Sequence, residues 1–303
     1  MLDSKTQPGI ADIAVYLPER VIDNDELVQR FGFERAFLDE KIGVKRRHIA
    51  RADESTADMG CAAAEQLFAR GGVRREEIGA LVFCTQNPDY KLPTTANLAQ
   101  TRLGLSQSTL AFDINQGCSG YVIGLSVLSS LMQAHDIECG LLITAEAYSK
   151  VIDPNDRATV PLFGDAGAAT LLRRGGSGQM GKFSFGSDGS GADALIVRGG
   201  GGKYPERAVA GADALYMNGR AVYEFMMRRV PPDIKACVAR NGLGLDQIDL
   251  FLFHQASRFM VGSLAKALGV PADKAPVEIE DIGNTVSCTL PILIDRLGGV
   301  EQL

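Results

Sequence analysis

The sequence has no tryptophan and only three histidines, and none of its six cysteines forms a CxxC pair. Cysteines 61, 84, 118, 139, 237 and 288 stand far apart, which excludes the common zinc and redox spacings. The opening MLDSKTQPGIADIAVYLPER has no basic segment followed by an apolar core, so it does not read as a signal peptide. Without one, a disulfide framework is not expected, and the expected compartment is a reducing cytosol. Long apolar runs are missing too. The longest stretch without charge, between Asp113 and Asp136, holds Asn115, Gln116, Gly117 and several serines, too polar for a membrane span. Nor is there an excess of positive charge. Lys and Arg total 31 against 37 Asp and Glu, a net charge of −6, which argues against a nucleic-acid or membrane binder.

What is present is an ordinary globular composition, 46% hydrophobic and 22% charged, over 303 residues. Short apolar runs bounded by polar or glycine residues read as buried strands at 79–86, 108–116, 139–147 and 165–173. Further runs at 195–199, 249–255 and 276–282 join them. Helical patterns separate these runs, so the fold class is α/β with sheets buried on both faces. The two halves also resemble each other. EIGALVFC (77–84) matches QIDLFLFH (247–254), and LGLSQSTLAFDINQGC (103–118) matches LGVPADKAPVEIEDIGN (268–284) with one extra residue. The units are therefore 1–174 and 175–303. Two strands that follow Cys118 in the first half have no counterpart after Asn284.

In that register Cys118, His254 and Asn284 fall at equivalent strand ends. Cys118, in FDINQGCSG, follows a strand and opens a long small-residue helix, whose macrodipole and free amides favour a thiolate nucleophile. A buried structural thiol is the plain alternative. His254 ends an apolar run just before a helix expected to begin at about Ser257, and Gly283 permits a sharp turn before Asn284. Singly these are a structural histidine and a helix cap; together they are a Cys, His, Asn set. A papain-like protease also runs Cys, His, Asn along the chain. Against it stand Ser-Gly-Tyr after Cys118, the missing tryptophan and the absence of a secretory segment. The other chemistry open to such a set is acyl transfer followed by carbon–carbon bond formation.

With FDINQGCSG, FHQAS (253–257) and IGNTVS (282–287), the sequence resembles the thiolase superfamily, specifically β-ketoacyl-acyl carrier protein synthase III. KIGVKRRHIA (41–50), DPNDRATVPLFGDAGAA (153–169) and the duplication add to it. The resemblance implies thiolase-like duplicated α/β units packed as a layered α-β-α-β-α sandwich, with the C-terminal strands missing. It implies a homodimer that condenses an acyl-CoA primer with malonyl-acyl carrier protein. CoA thioester is substrate, and no resident cofactor or metal is expected. Cys118 would carry the acyl group, with its backbone amide as half of an oxyanion hole. His254 and Asn284 would donate to the malonyl thioester carbonyl. Phe37 stands where the family has the tryptophan that stacks on the CoA adenine, and Arg157 matches the arginine on its other face. Leu92 matches a phenylalanine at the far end of the acyl pocket across the dimer interface, and Arg258, one position early, is nearest to the arginine that meets the carrier protein.

Three other signals are weaker. GSGQMG (176–181) reads as a surface hairpin rather than a dinucleotide site, and GGGGKY (199–204) as a flexible loop. Lys45, Arg46 and Arg47 suit either CoA phosphates or a solvated face, and GDAGAA (164–169) suits close packing. Two competing readings stay open: a related acyltransferase of specialised metabolism with another acceptor or extender, and a non-condensing partner subunit.

Overall fold

A computed structural model describes residues 7–203 and 213–303; Tyr204, the last residue of GGGGKY, lies outside them. In chain order the strands are β1 Pro8–Tyr16, β2 Arg20–Asp23, β3 Arg46–Ile49, β4 Ile78–Cys84, β5 Leu110–Ile114, β6 Cys139–Glu146 and β7 Ala166–Arg174. The two-residue strands β8 Gly178–Gln179, β9 Leu195–Ile196 and β10 Tyr216–Met217 follow. The α-helices are α1 Asn24–Phe31, α2 Thr56–Ala69, α3 Thr95–Arg102, α4 Gly120–Ala134, α5 Gly219–Arg240, α6 Arg258–Leu268 and α7 Thr289–Arg296.

One mixed sheet dominates, in the order β5-β4-β6-β7-β1-β8. β4 pairs parallel with β5 and β6, whereas β7 runs antiparallel to both β6 and β1. Alternation along β4 and β6 divides the core. Leu81, Phe83, Leu141 and Ile143 face α2 and α3; Ala80, Val82, Cys84 and Leu142 face α4 and α7. All eight residues of β6 are buried, as expected of a strand covered by helices on both sides. Helix starts follow local chemistry. Ser55 and Asp58 form a reciprocal capping box at α2, and Ser257 caps α6 by accepting from the Met260 amide at 3.2 Å.

The second half departs from the expected duplicate. Runs 249–255 and 276–282 lie side by side but form no strand ladder among the described residues, and 195–199 contributes only β9. β4 is held on its other edge by β6; no described strand plays that part beside 249–255. Side chains do the joining instead. Gln255 donates from Nε2 to the carbonyls of Phe253 (2.8 Å) and Pro276 (3.3 Å), and its Oε1 accepts from the Glu278 amide (3.0 Å). Phe251 and Phe253 then pack with α5 and α6 in a core of their own. GSGQMG is not a hairpin on β7 either: its strand β8 pairs with β1 on the outer edge of the sheet.

The halves interlock where two backbones cross. The amide of Asn284 donates to Leu162 O (2.8 Å), the amide of Gly164 donates to Asn284 O (3.1 Å), and Phe163 forms a parallel bridge with Asn284. A β-carbon on Gly164 would stand 2.1 Å from Ile282 O, and one on Gly167 would stand 2.3 Å from Met59 O on α2. The small residues of GDAGAA thus serve backbone approach. Gly164→Ala is expected to lower unfolding free energy by about 1–3 kcal/mol, the usual cost of forcing atoms into a filled space. Gly72→Ala, where an added carbon meets nothing within 4 Å, should leave the denaturant midpoint nearly unchanged.

Candidate active site

The turn between β5 and α4 presents Cys118. Gly117 O accepts from the Gly120 amide at 2.7 Å, and α4 starts at Gly120 with no side-chain cap from Ser119. A β-carbon on Gly120 would lie 2.3 Å from Cys84 Sγ, and one on Gly117 would lie 2.4 Å from Gln86 Oε1, so both glycines let the turn settle onto the end of β4. Cys118 packs against a cluster built on Tyr148, Phe163, Leu215 and Val286.

Val286 is the meeting point of the site. Its φ is +54°, rare for any non-glycine residue and more so for a β-branched one. In that conformation its amide donates to Asn284 Oδ1 at 2.9 Å, which turns the Asn284 NH2 group away from its own loop as a donor. Its carbonyl faces His254 and lies 3.2 Å from the Thr289 hydroxyl oxygen. Nδ1 of His254 lies 2.7 Å from the same hydroxyl, while its buried Nε2 has no partner among the described residues. Asn284, His254 and Cys118 thus converge on one residue: by side chain, ring and packing respectively. Gly283, at φ +71°, makes the preceding turn.

Electrostatically the site is neutral. Burial depresses His254 to about 4, so the ring is uncharged at pH 7. Burial also raises the Cys118 thiol to about 12, and an ionised Glu146 would raise it further. The thiolate expected from a helix N-terminus is therefore not the resting form: desolvation outweighs the dipole, which contributes about 1 kcal/mol. Glu146, which the sequence alone did not single out, lies fully buried at the end of β6. It accepts from Ser287 Oγ (2.9 Å), the Gln86 amide (3.1 Å) and Thr85 Oγ1 (3.3 Å), joining the ends of β4 and β6 to the turn that carries Val286. Gln86 Oε1 in turn accepts from the Tyr148 hydroxyl at 2.7 Å. Desolvation pushes the Glu146 carboxyl up to about 8.

Of the outer residues, Arg157 and Arg47 are placed differently from expectation. Phe37 is half exposed, but Arg157 does not face it. The Arg157 guanidinium lies over Phe33, 4.6 Å from the ring centroid, and Phe33 stacks on Phe37 at 6.2 Å and 19°. Arg47 is buried at 1% exposure, held by Asn24 Oδ1 and the carbonyls of Val44 and Pro161, so it cannot meet a phosphate. Lys45 and Arg46 are exposed but paired, with Glu280 at 2.5 Å and Asp281 at 3.1 Å. Arg258, in the first turn of α6, shares Glu280 at 3.6 Å. Leu92 is 83% exposed and is not among the side chains packed around Cys118. Among the described residues no helix is long and apolar enough to cross a membrane.

Because folding raises the Glu146 pKa, the folded state holds that proton more tightly than the unfolded chain. The Glu146 contribution to stability is then fully present below about 4.5, falls as pH rises and levels off above about 8. One proton contributes at most about 1.4 kcal/mol per pH unit. Glu146→Gln mimics the protonated side chain, so denaturant unfolding between pH 5 and 8 should show a shallower fall in the variant than in the wild type. Identical slopes would mean that Glu146 keeps its ordinary pKa.

Two segments of the chain match family descriptions: residues 112–189 match 3-oxoacyl-[acyl-carrier-protein (ACP)] synthase III, and residues 238–301 its C-terminal part. The beta-ketoacyl-[acyl-carrier-protein] synthase III of Streptococcus pneumoniae is 33% identical over 294 residues, 97% of this chain and 90% of that protein. The crystal structure of 3-oxoacyl-(acyl-carrier protein) synthase from Burkholderia xenovorans superposes with a TM-score of 0.87 at 38% identity, covering 96% of this chain and 87% of that one. The priming beta-ketosynthase of the R1128 polyketide pathway superposes with the same TM-score at 27% identity and the same coverage. By this likeness over nearly its whole length, the chain belongs to the 3-oxoacyl-[acyl-carrier-protein] synthase III family of condensing acyltransferases.

Proposed function

We propose that this chain condenses an acyl-CoA primer with malonyl-acyl carrier protein, with loss of CO2, to give 3-oxoacyl-acyl carrier protein. The observation that supports the reading is the arrangement around Val286: its amide engages Asn284 Oδ1, His254 lies at its carbonyl, and the cluster it belongs to packs against Cys118. Cys118 Sγ attacks the acyl thioester, the carbon–sulfur bond to CoA breaks, and the thiol proton leaves with CoA as its free thiol. In the second half-reaction the malonyl carboxylate departs as CO2, and its bonding pair forms an enolate on the thioester. His254 and Asn284 donate to that oxygen as its charge develops. The enolate carbon then attacks the acyl-Cys118 carbonyl, the bond to Sγ breaks, and Cys118 regains a proton from water.

Two neutral donors suit this step. A cationic histidine would grip the malonyl carboxylate and oppose its departure, and burial keeps His254 uncharged. The outer residues complete the reading. The Phe37–Phe33–Arg157 stack is a surface for the CoA base, Arg258 an exposed cation for the acidic carrier protein, and Leu92 a side chain that a second copy covers in a homodimer. No resident cofactor is required. Likeness to a priming ketosynthase of a polyketide pathway favours a second setting, in which the same chemistry starts a specialised product.

Intact-mass measurement after mixing with a panel of acyl-CoAs should reveal one acyl adduct, absent from Cys118→Ala. His254→Ala and Asn284→Ala should keep the adduct but release CO2 from malonyl-acyl carrier protein about 100-fold more slowly, the usual loss for one oxyanion donor. If no acyl-CoA yields an adduct on the wild type, the reading fails.

A further inference from the structure

His254 serves the proposed condensation only as an Nε2–H donor, and a neutral imidazole has one N–H to place. Which nitrogen carries it depends on what faces Nδ1. The Thr289 hydroxyl does, 2.7 Å away, and it either donates or accepts; the Val286 carbonyl, which only accepts, lies beside the ring. The hydroxyl has a single proton and two acceptors within reach, Nδ1 at 2.7 Å and Val286 O at 3.2 Å. Given to Val286 O, that proton leaves an oxygen lone pair facing the ring. Nδ1 must then carry the hydrogen, and the buried Nε2 presents a lone pair to the site. Given to Nδ1, it satisfies that nitrogen as an acceptor and puts the ring hydrogen on Nε2. The shorter distance favours the second arrangement, which leaves Nε2–H free to meet a substrate oxygen.

We propose that Thr289 is the positioning residue that fixes the His254 tautomer, its hydroxyl donating to Nδ1 so that Nε2–H points into the site. The hydroxyl is well placed to act as a latch. Thr289 is the first residue of α7, 1% exposed, and its neighbours Ser287 and Cys288 are anchored at Glu146 and at the Thr144 and Ala166 carbonyls. A side chain of the same shape without the hydroxyl reverses the preference. A bare Nδ1 would then have no donor, while the Val286 carbonyl beside the ring accepts from a protonated one.

The kinetic consequence rests on the proposed condensation, whereas the tautomer is read without any substrate. With only three histidines in the chain, nitrogen-15 correlation spectra of histidine-labelled protein resolve each ring, and His254→Gln identifies the signals of His254. The wild type and Thr289→Ser should show a protonated Nε2. Thr289→Val should show a protonated Nδ1, together with about 100-fold slower CO2 release from malonyl-acyl carrier protein and an undiminished acyl adduct on Cys118. Thr289→Ala serves in its place if valine disturbs folding. A wild type protonated at Nδ1, or a valine or alanine variant still protonated at Nε2, overturns the proposal. A wild type with the expected tautomer and variant shift but no CO2 release sustains it, while removing the condensation reading instead.

Discussion

The left-handed backbone of Val286 is the constraint on which the site depends. Holding a β-branched residue at φ +54° costs on the order of 1–3 kcal/mol, and such conformations persist only where their surroundings impose them. Here the impositions can be named. The Val286 amide is committed to Asn284, and its carbonyl sits against His254 and the Thr289 side chain. Ser287 is tied to Glu146, and the chain just before is threaded against 162–164, where glycine alone fits. Return Val286 to an ordinary conformation and its amide and carbonyl would point elsewhere. Asn284 would lose the contact that orients its amide, and the ring of His254 would lose one of its two neighbours. A single unfavourable dihedral thus lets residues far apart in sequence act at one place.

Glu146 is the complement of that constraint. A buried carboxyl without a cation beside it is costly as an anion, and with three donors around it is acceptable as a neutral acid. It ties the end of the first-half sheet to the second-half turn 141 residues later without adding charge beside Cys118. An ion pair in its place would bring a permanent cation and a permanent anion into a pocket whose chemistry creates and consumes one negative charge.

Much of this was legible in the sequence because strand-ending positions announce themselves. Cys118 and Asn284 each follow an apolar run and a glycine, and Ser257 marks the start of the helix after His254. The first-half strands at 79–86, 108–116, 139–147 and 165–173 appear with only their ends trimmed. What stayed hidden depends on contacts between distant segments. Nothing in DLFLFHQ or PVEIEDI reveals whether a neighbour will complete a ladder, since strand propensity describes a surface that still needs a partner. Arg47 reads as one of three basic residues until the fold wraps Asn24 and Pro161 around it. Phe33 carries no motif, yet it takes the place beside Arg157 that alignment alone would give to Phe37. The roles of Thr289 and Glu146 exist only as distances, which residue spacing does not encode.

The high pKa of Cys118 has a consequence outside the reaction. Peroxides and soft electrophiles attack thiolates, so a half-buried cysteine held as a thiol is a slow target for both. A surface thiolate at a helix terminus would be permanently armed and would be lost stepwise to sulfenic and sulfinic acids. Burial therefore works as a safety catch, sparing the nucleophile between turnovers. It makes the arrival of a thioester, rather than the pH of the surroundings, the event that releases its reactivity.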